Sequence, residues 1–314
     1  MAMTAEDVSR FERSRHRLEA IAYRLLGSAS EAEDAVQETF LRWQAADLGR
    51  IEVPEAWLTK VLTNLCLNQL TSARARRETY VGQWLPEPLL DGDPMLGPAD
   101  TVEQRESVSY AVLTLMERLS PNERAVYVLR EAFDYSHREI AEMLELTESA
   151  SQQLFRRAKQ HLADGRTRTE VDEATARRIV DEFILAATSG QTESIVRLLT
   201  ADAVSIGDGG GKVPARTTAI LGALAVARFL RGLFKPTAAK RVYLGGPADV
   251  YAWPVNGEPS LVVLVDGEVV GVMCLEVGAD GITAVRSQAN PDKLVRATEL
   301  FAVAEHGEPL LTIL

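Results

Sequence analysis

The sequence predicts a multidomain chain of two all-α domains followed by an α+β domain. Three observations carry that expectation. Apolar residues recur at helical spacing through the first half, with capping signals at the breaks. A Pro- and Gly-rich stretch over 80–100 interrupts the pattern once. In the last third, short β-branched runs separated by glycine turns replace it. The expected boundaries are 1–79 and 101–167 for the helical domains, 80–100 for the linker and 168–314 for the α+β domain, whose sheet is expected to be curved and antiparallel.

At 314 residues, 46% hydrophobic and 25% charged, the chain is long enough for several packed cores. Met1 to Ala20 is studded with acids and arginines, so no secretory signal is expected, and the longest apolar run, Leu261 to Val277, is interrupted by Asp266, Gly267 and Glu268, so no membrane span is expected. Cys66 and Cys274 are far apart and unaccompanied, giving neither a disulfide framework nor a zinc pattern; a reducing cytoplasm suits them, and no metal or cofactor is called for. A net charge of −11 argues against indiscriminate nucleic-acid binding by the whole molecule, which makes any local basic surface informative.

Leu18, Ile21, Ala22, Leu25 and Leu26 form a helical stripe that Gly27 ends. Ser28 and Ser30 each precede a glutamate by three residues and reopen a helix buried through Ala32, Ala35, Val36, Thr39, Phe40 and Trp43. Residues 31–40 carry Glu31, Glu33, Asp34 and Glu38 and no base, a charge that suits either a solvated face or a dock for a basic partner. Pro54 starts a third helix with Trp57, Leu58, Val61, Leu62, Leu65 and Leu70 inward and Lys60, Asn64 and Asn68 among its polar positions. Arg74, Arg76 and Arg77 make its end basic; asparagine and arginine beside exposed aromatics can hold unstacked bases, although an arginine cluster also suits a helix C-terminus.

Tyr80 to Asp100 contains Gly82, Pro86, Pro88, Gly92, Pro94, Gly97 and Pro98, which forbid a long helix or strand. It also carries Trp84, Leu85, Leu89 and Leu90, more apolar surface than a solvated linker keeps, so another surface is expected to cover them. One helix, from Val108 to Leu119, is expected to follow.

Ser120-Pro121-Asn122-Glu123 and Ser136-His137-Arg138-Glu139 are successive capping boxes, and Thr147 can cap a third helix. On that third helix Ser151, Phe155, Ala158 and Leu162 line one face, while Ser149, Gln152, Gln153, Arg156, Arg157 and Lys159 point outward. Residues 149–168 hold five bases (Arg156, Arg157, Lys159, Arg166, Arg168) against Asp164, a net +4 on an acidic chain. This is the pattern of a helix-turn-helix whose Gln and Arg read base edges while Ser and Lys hold phosphates.

In the C-terminal part, Val171 to Ala187 and Ile195 to Leu199 read as helices, as does Leu221 to Phe234. Ala203–Ile206, Arg241–Leu244, Leu261–Val265, Val269–Leu275 and Ile282–Val285 read as strands, with Asp266-Gly267 as a hairpin turn. Asp202, Asp208, Arg286 and Asp292 are the nameable acid-base candidates, none in a recognisable pair, and no histidine lies between His161 and His306. No catalytic residue is assigned.

The order of these features over residues 1 to about 165 resembles a bacterial sigma factor of the extracytoplasmic-function (ECF) type. The resemblance implies that Asp34, Gln37 and Glu38, in Asp34-Ala35-Val36-Gln37-Glu38-Thr39-Phe40, grip RNA polymerase core enzyme. It implies that Trp57-Leu58 through Arg77 opens and holds the −10 promoter element, and that the 120–162 module reads the −35 element. The C-terminal half is similar to the SnoaL-like, nuclear transport factor 2-like α+β fold. Trp84-Leu85-Pro86, Asp208-Gly209-Gly210-Gly211-Lys212 and Asn290-Pro291-Asp292-Lys293-Leu294 resemble the signature peptides of the ECF group with such a domain fused. The resemblance pairs the Trp84-Leu85-Pro86 peptide with Asn290-Pro291-Asp292-Lys293-Leu294, with Glu87 or Asp91 as acids that Lys293 can meet, counts Asp208 and Lys212 among the interdomain residues, and leaves room for a small-molecule ligand in the C-terminal cavity. The expected function is a promoter-specific initiation factor regulated in cis. The alternatives are a ligand-sensing helix-turn-helix regulator and a SnoaL-like isomerase or cyclase fused to a DNA-binding segment.

Overall fold

The computed structural model describes residues 4–78, 80–163 and 173–313, and its chain forms two compact units: residues 1–79 with 92–166, and residues 80–91 with 167–314. In the first unit α1 (Ala5–Leu26) opens at a Thr4–Asp7 capping box and stops at Gly27, whose φ of 70° is left-handed. Ser28 caps α2 (Ala29–Ala45), which buries Ala32, Ala35, Val36, Thr39 and Trp43. Helix α3 (Pro54–Glu78) buries Leu58, Leu62, Cys66 and Leu70, one residue per turn, beside the first two. The expected helix from Val108 to Leu119 is two: α4 (Val102–Val108) and α5 (Tyr110–Met116). Ser109 breaks them because its backbone is extended and its hydroxyl caps the Val112 N–H, so a polar residue starts a helix where periodicity alone runs through.

Both capping boxes form, at the starts of α6 (Pro121–Glu131) and α7 (His137–Leu144), and the Thr147 hydroxyl accepts from Ala150 N at the start of α8 (Glu148–Ala163). Within this unit two fully buried arginines tie α1 to the later helices. Arg24 donates to Ser107 Oγ at 2.9 Å and to the Gln104 carbonyl, and Arg124 Nε donates to the Arg24 carbonyl at 3.0 Å.

The second unit begins with α9 (Glu173–Thr188) and α10 (Thr192–Val196), then β1 (Leu199–Asp208), β2 (Ile220–Leu221), α11 (Ala223–Phe234) and α12 (Ala238–Leu244). Next come β3 (Ala248–Ala252), β4 (Ser260–Val265), β5 (Glu268–Gly278), β6 (Gly281–Gln288), α13 (Val295–Val303) and β7 (Leu311–Ile313). One seven-stranded sheet runs β2-β1-β6-β5-β4-β3-β7. Phe183 and Phe234, with Leu230, Val250, Leu261, Met273, Leu275 and Val285, fill the space between the helices and one face of this sheet.

Two sequence expectations are corrected here. The sheet is mixed rather than antiparallel, because β1 pairs with β6 in parallel. After β1 the chain crosses through α11 and α12 to the far edge, and the meander from β3 to β6 brings β6 back beside β1 in the same direction. Arg241–Leu244 is helical, not a strand. The Thr237 hydroxyl caps Lys240 N and starts a turn through Ala238 and Ala239 that carries Val242, the one β-branched residue of the run, along with it. Strands β3 and β7 and helix α13 had no expectation attached.

Strand β5 is buried continuously from Val272 to Gly278, not alternately, so both of its faces are covered. Helix α13 contributes part of that cover. Asp164 to Asp172, and with them Arg166, Arg168 and the expected start of α9 at Val171, lie outside the described residues.

Candidate nucleic-acid interface and linker clamp

On α2, Asp34 and Gln37 are exposed, and Glu38 is partly exposed with Arg42 at 2.9 Å. Aromatic contacts anchor the helix: buried Trp43 lies 5.5 Å from Trp57 and half-buried Phe40 lies 4.8 Å from Phe11, centroid to centroid. The acidic row therefore stands on a rigid support.

Lys60, Asn64 and Asn68 follow one another at steps of four on α3, opposite the buried row, which puts them on one face. Lys60 Nζ sits 3.2 Å from Glu145 Oε1 and 3.4 Å from the Glu142 carbonyl. Ahead of that row, Trp57 closes a surface recess lined by Asp47, Arg50, Ile51, Glu52 and Val53. The side chains of Arg74, Arg76 and Arg77 lie outside the described residues.

Helix α8 is held by Ser151, Ala158 and Leu162, all buried. Phe155 stacks on Tyr127 at 6.4 Å and meets the edge of His137 at 5.5 Å, and His137 Nδ1 lies 3.0 Å from Ser151 Oγ. Burial, and then the charge of Arg130, push the His137 pKa down, which favours a neutral ring in this packed turn. The outward residues divide into two sets. Ser149, Gln152, Gln153 and Arg156 are exposed, whereas Arg157 pairs with Glu123 at 3.3 Å and Lys159 with Glu131 at 2.8 Å. The second set, though also exposed, lies toward α6.

The linker segment 80–91 belongs to the second unit and is strapped across it. Its hub is the Asp208 carboxylate at the end of β1, whose side chain is fully buried. Five donors reach it: Tyr80 OH at 2.7 Å, Gly210 N at 2.9 Å, Leu85 N at 3.0 Å, Gln288 Nε2 at 3.2 Å and Lys293 Nζ at 2.7 Å. The Lys293 ammonium also donates to the Leu85 carbonyl at 2.6 Å, and lies 4.3 Å from the Trp84 ring centroid and 5.0 Å from that of Tyr80. Gln288 Nε2 donates to the Pro86 carbonyl, and Asn290 Nδ2 to Tyr80 OH. Burial and then the bond to Asp208 push the Tyr80 phenol well above its ordinary range.

The glycine run makes this convergence feasible. Gly210 has φ 61°, and a Cβ there would stand 2.4 Å from the Asn290 amide. Lys212 meets Asp292 at 2.6 Å on the exposed rim, Pro291 is the exposed first residue of a short 3₁₀ turn capped by Asn290, and Leu294 is buried beneath it. Leu85, Leu89 and Leu90 are buried as well. At the strap's far end Leu89 exchanges two bonds with Asn256, and the Asp91 carboxylate accepts from Gly257 N. Sequence reasoning missed Tyr80, Gln288 and Asn256, and no local signal marks any of them; it offered Glu87 or Asp91 as acids for Lys293, whose carboxylate partner here is Asp208.

The acid-base candidates do not converge. Asp202 is exposed, Asp208 is enclosed by its five donors, Arg286 pairs with Glu276 across β5 and β6, and Asp292 pairs with Lys212. Among the described residues no cluster of histidine, cysteine, aspartate and glutamate is placed to hold a metal ion, and no helix is long and apolar enough to cross a membrane.

A helical unit with an exposed reading helix, carried in one chain with an α+β unit that holds down the linker, defines a DNA-reading protein with a built-in accessory domain. Comparison with known proteins gives the family. Residues 10–76 match the model of sigma-70 region 2, and residues 109–162 that of sigma-70 region 4. The chain is 39% identical over 228 residues to the ECF RNA polymerase sigma factor SigJ of Mycobacterium tuberculosis, covering 72% of this chain and 73% of that one. It is 31% identical over 281 residues to the probable ECF RNA polymerase sigma factor SigI of the same species, covering 87% and 90%. The crystal structure of Mycobacterium tuberculosis SigJ aligns with a TM-score of 0.70 at 33% identity, over 91% of this chain and 97% of that one. The chain belongs to the ECF RNA polymerase sigma factors, with a SnoaL-like α+β domain following the two sigma regions. As such it directs promoter-specific initiation of transcription.

Proposed function

We infer that this sigma factor recruits core RNA polymerase in the cytoplasm through Asp34, Gln37 and Glu38 on α2. It reads the −10 element with Lys60, Asn64, Asn68 and the Arg74–Arg77 end of α3, and the −35 element with α8. The recess beside Trp57 suits an unstacked base of the opened −10 strand. The C-terminal unit regulates in cis and catalyses nothing. What supports that last reading is the strap: twelve residues able to span at most about 40 Å lie in sequence between the two sigma regions, and the Asp208 hub pins them. A domain that grips the connector sets how far the two regions can separate. The dispersal of Asp202, Asp208, Arg286 and Asp292, each exposed or committed to a partner, favours this over an isomerase or cyclase.

The single observation that carries the reading is the doubly capped helix-turn-helix with an exposed Gln/Arg face beside an acidic α2. Core binding distinguishes it from a ligand-sensing regulator. Changing Asp34 and Glu38 together to lysine should abolish co-purification with core polymerase. The melting temperature should stay nearly unchanged, since exposed substitutions move stability by only about 0.5 kcal/mol. Undiminished core binding by that variant removes α2 as the docking surface, and a wild-type chain that binds promoter DNA but never core restores the regulator reading.

A further inference from the structure

Between Asp208 and Asp249 the chain carries no acid. Residues 209–248 hold seven lysines and arginines and not one Asp, Glu, Asn, Gln, Ser or His, in a chain of net charge −11. Two of these bases are committed: Lys212 to Asp292, and Lys240 to the carbonyls of Gly232, Leu233 and Lys235, where it caps the end of α11. Arg216, Arg228, Arg231 and Lys235 are exposed, and among the described residues none of their side chains has an ion pair or a hydrogen bond. Other bases of this chain meet acids one turn away, as Arg177 does Asp181, Arg178 does Glu182 and Arg10 does Glu6.

The unanswered bases of α11 form a single ridge. The helix turns Val226, Ala227, Leu230 and Phe234 into the core, and Leu224, Arg228 and Arg231, with Lys235 just past its end, follow at steps of four, three and four on the side away from them. That row is about 16 Å long. Leu224 is 50% exposed, and Leu221 on the edge strand β2, just before the helix, is 70% exposed, so two exposed leucines precede the basic row.

This composition separates the ridge from the helices assigned above to DNA reading. Helix α8 carries Ser149, Gln152 and Gln153 among its bases, and α3 carries Asn64 and Asn68, groups that hydrogen-bond to base edges and phosphates. The α11 ridge offers only positive charge and aliphatic surface. Register in a protein contact is fixed by charges set against their opposites, and a row of one sign without an amide fixes none. An anionic bilayer asks for no register: its headgroups favour each nearby base by about five-fold in partition, and leucine side chains enter the boundary beneath them. At 12 residues α11 is too short to cross a bilayer and suits lying along one. We propose that Leu221, Leu224, Arg228, Arg231 and Lys235 form a reversible docking surface for an anionic lipid membrane.

Sedimentation of the full chain with lipid vesicles tests this. Vesicles of phosphatidylcholine with about one third phosphatidylglycerol should carry the chain down, vesicles of phosphatidylcholine alone should not, and added salt should release it. Arg228→Glu with Arg231→Glu should weaken the association by about twenty-five-fold or more, and Leu221→Ser with Leu224→Ser by about ten-fold. Arg10→Glu with Arg15→Glu makes the same change of net charge on α1 and should leave the association nearly as it was.

Circular dichroism checks that each variant is folded, and Arg228→Gln with Arg231→Gln, a milder pair, should show the same loss in smaller degree. Binding to duplex DNA that lacks both promoter elements is measured alongside. No sedimentation with anionic vesicles, sedimentation unchanged by the arginine pair, or no effect of the leucine pair overturns the proposal. Arginine variants that lose only the duplex overturn it too, and make the ridge a contact to backbone phosphate.

Discussion

Replacing Asp208 with alanine is expected to destabilise the C-terminal unit by about 3–5 kcal/mol, the scale for removing one partner of a buried ion pair. The loss has a definite anatomy. Lys293 Nζ loses its carboxylate partner, while Tyr80 OH, Leu85 N, Gly210 N and Gln288 Nε2 each lose an acceptor inside the unit. Lys293→Met alone leaves a buried carboxylate that four neutral donors still solvate, so its cost should be smaller. The double variant should cost less than the sum, because the ion pair is lost only once. Chemical denaturation of the full chain, followed by the fluorescence of Trp84 against a Trp84→Phe control, measures all three. Additive changes below about 1 kcal/mol each would mean that the hub contributes no more than a surface pair. Transcription provides the second readout. Freeing the strap should change promoter-dependent initiation while leaving binding of a −35 duplex by the full chain as it was.

Local chemistry explains which parts of this molecule were legible in the sequence. The helix starts at Pro121 and His137 are read directly, because a capping box is complete within four residues and forms wherever the chain allows. The end of α1 at Gly27 is legible for the same reason. Arg241–Leu244 was misread because β-propensity weighs a residue's own branching, whereas Thr237 and two alanines before it had already committed the chain to a helix. Strand β3 escaped notice because Ala-Asp-Val-Tyr-Ala is a weak strand pattern that pairing with β4 and β7 makes good. The parallel pairing of β1 with β6 depends on a crossover that no local pattern encodes. The clamp is the extreme case: Tyr80 and Asp208 are 128 residues apart, and Gln288 is 80 residues beyond Asp208. Only the family resemblance singled out three of its peptides, pairing two of them, and it was silent on Tyr80 and Gln288.

On α8 the structure sorts the outward side chains, and the sorting predicts two kinds of lesion. Gln152 and Arg156 are one turn apart and exposed, so both can enter a major groove together, Arg toward guanine O6 and N7 and Gln toward adenine N6 and N7. Each good base contact discriminates by about 1–3 kcal/mol, so Arg156→Ala should lower affinity for the preferred −35 sequence by roughly ten- to hundred-fold and flatten the response to base changes at one position. Lys159 is tied to Glu131 of α6, and the role proposed for it is a phosphate contact rather than a base contact. Lys159→Ala should therefore weaken every sequence alike and reduce the slope of log affinity against log salt by about one. The salt slope separates the two roles where affinity alone cannot, because losing a phosphate contact releases one counterion fewer whatever the sequence. Binding of the full chain to a −35 mutation series at three salt concentrations gives both quantities. If Arg156→Ala loses affinity equally across the series with a reduced salt slope, Arg156 is a phosphate contact and the reading face of α8 must lie elsewhere.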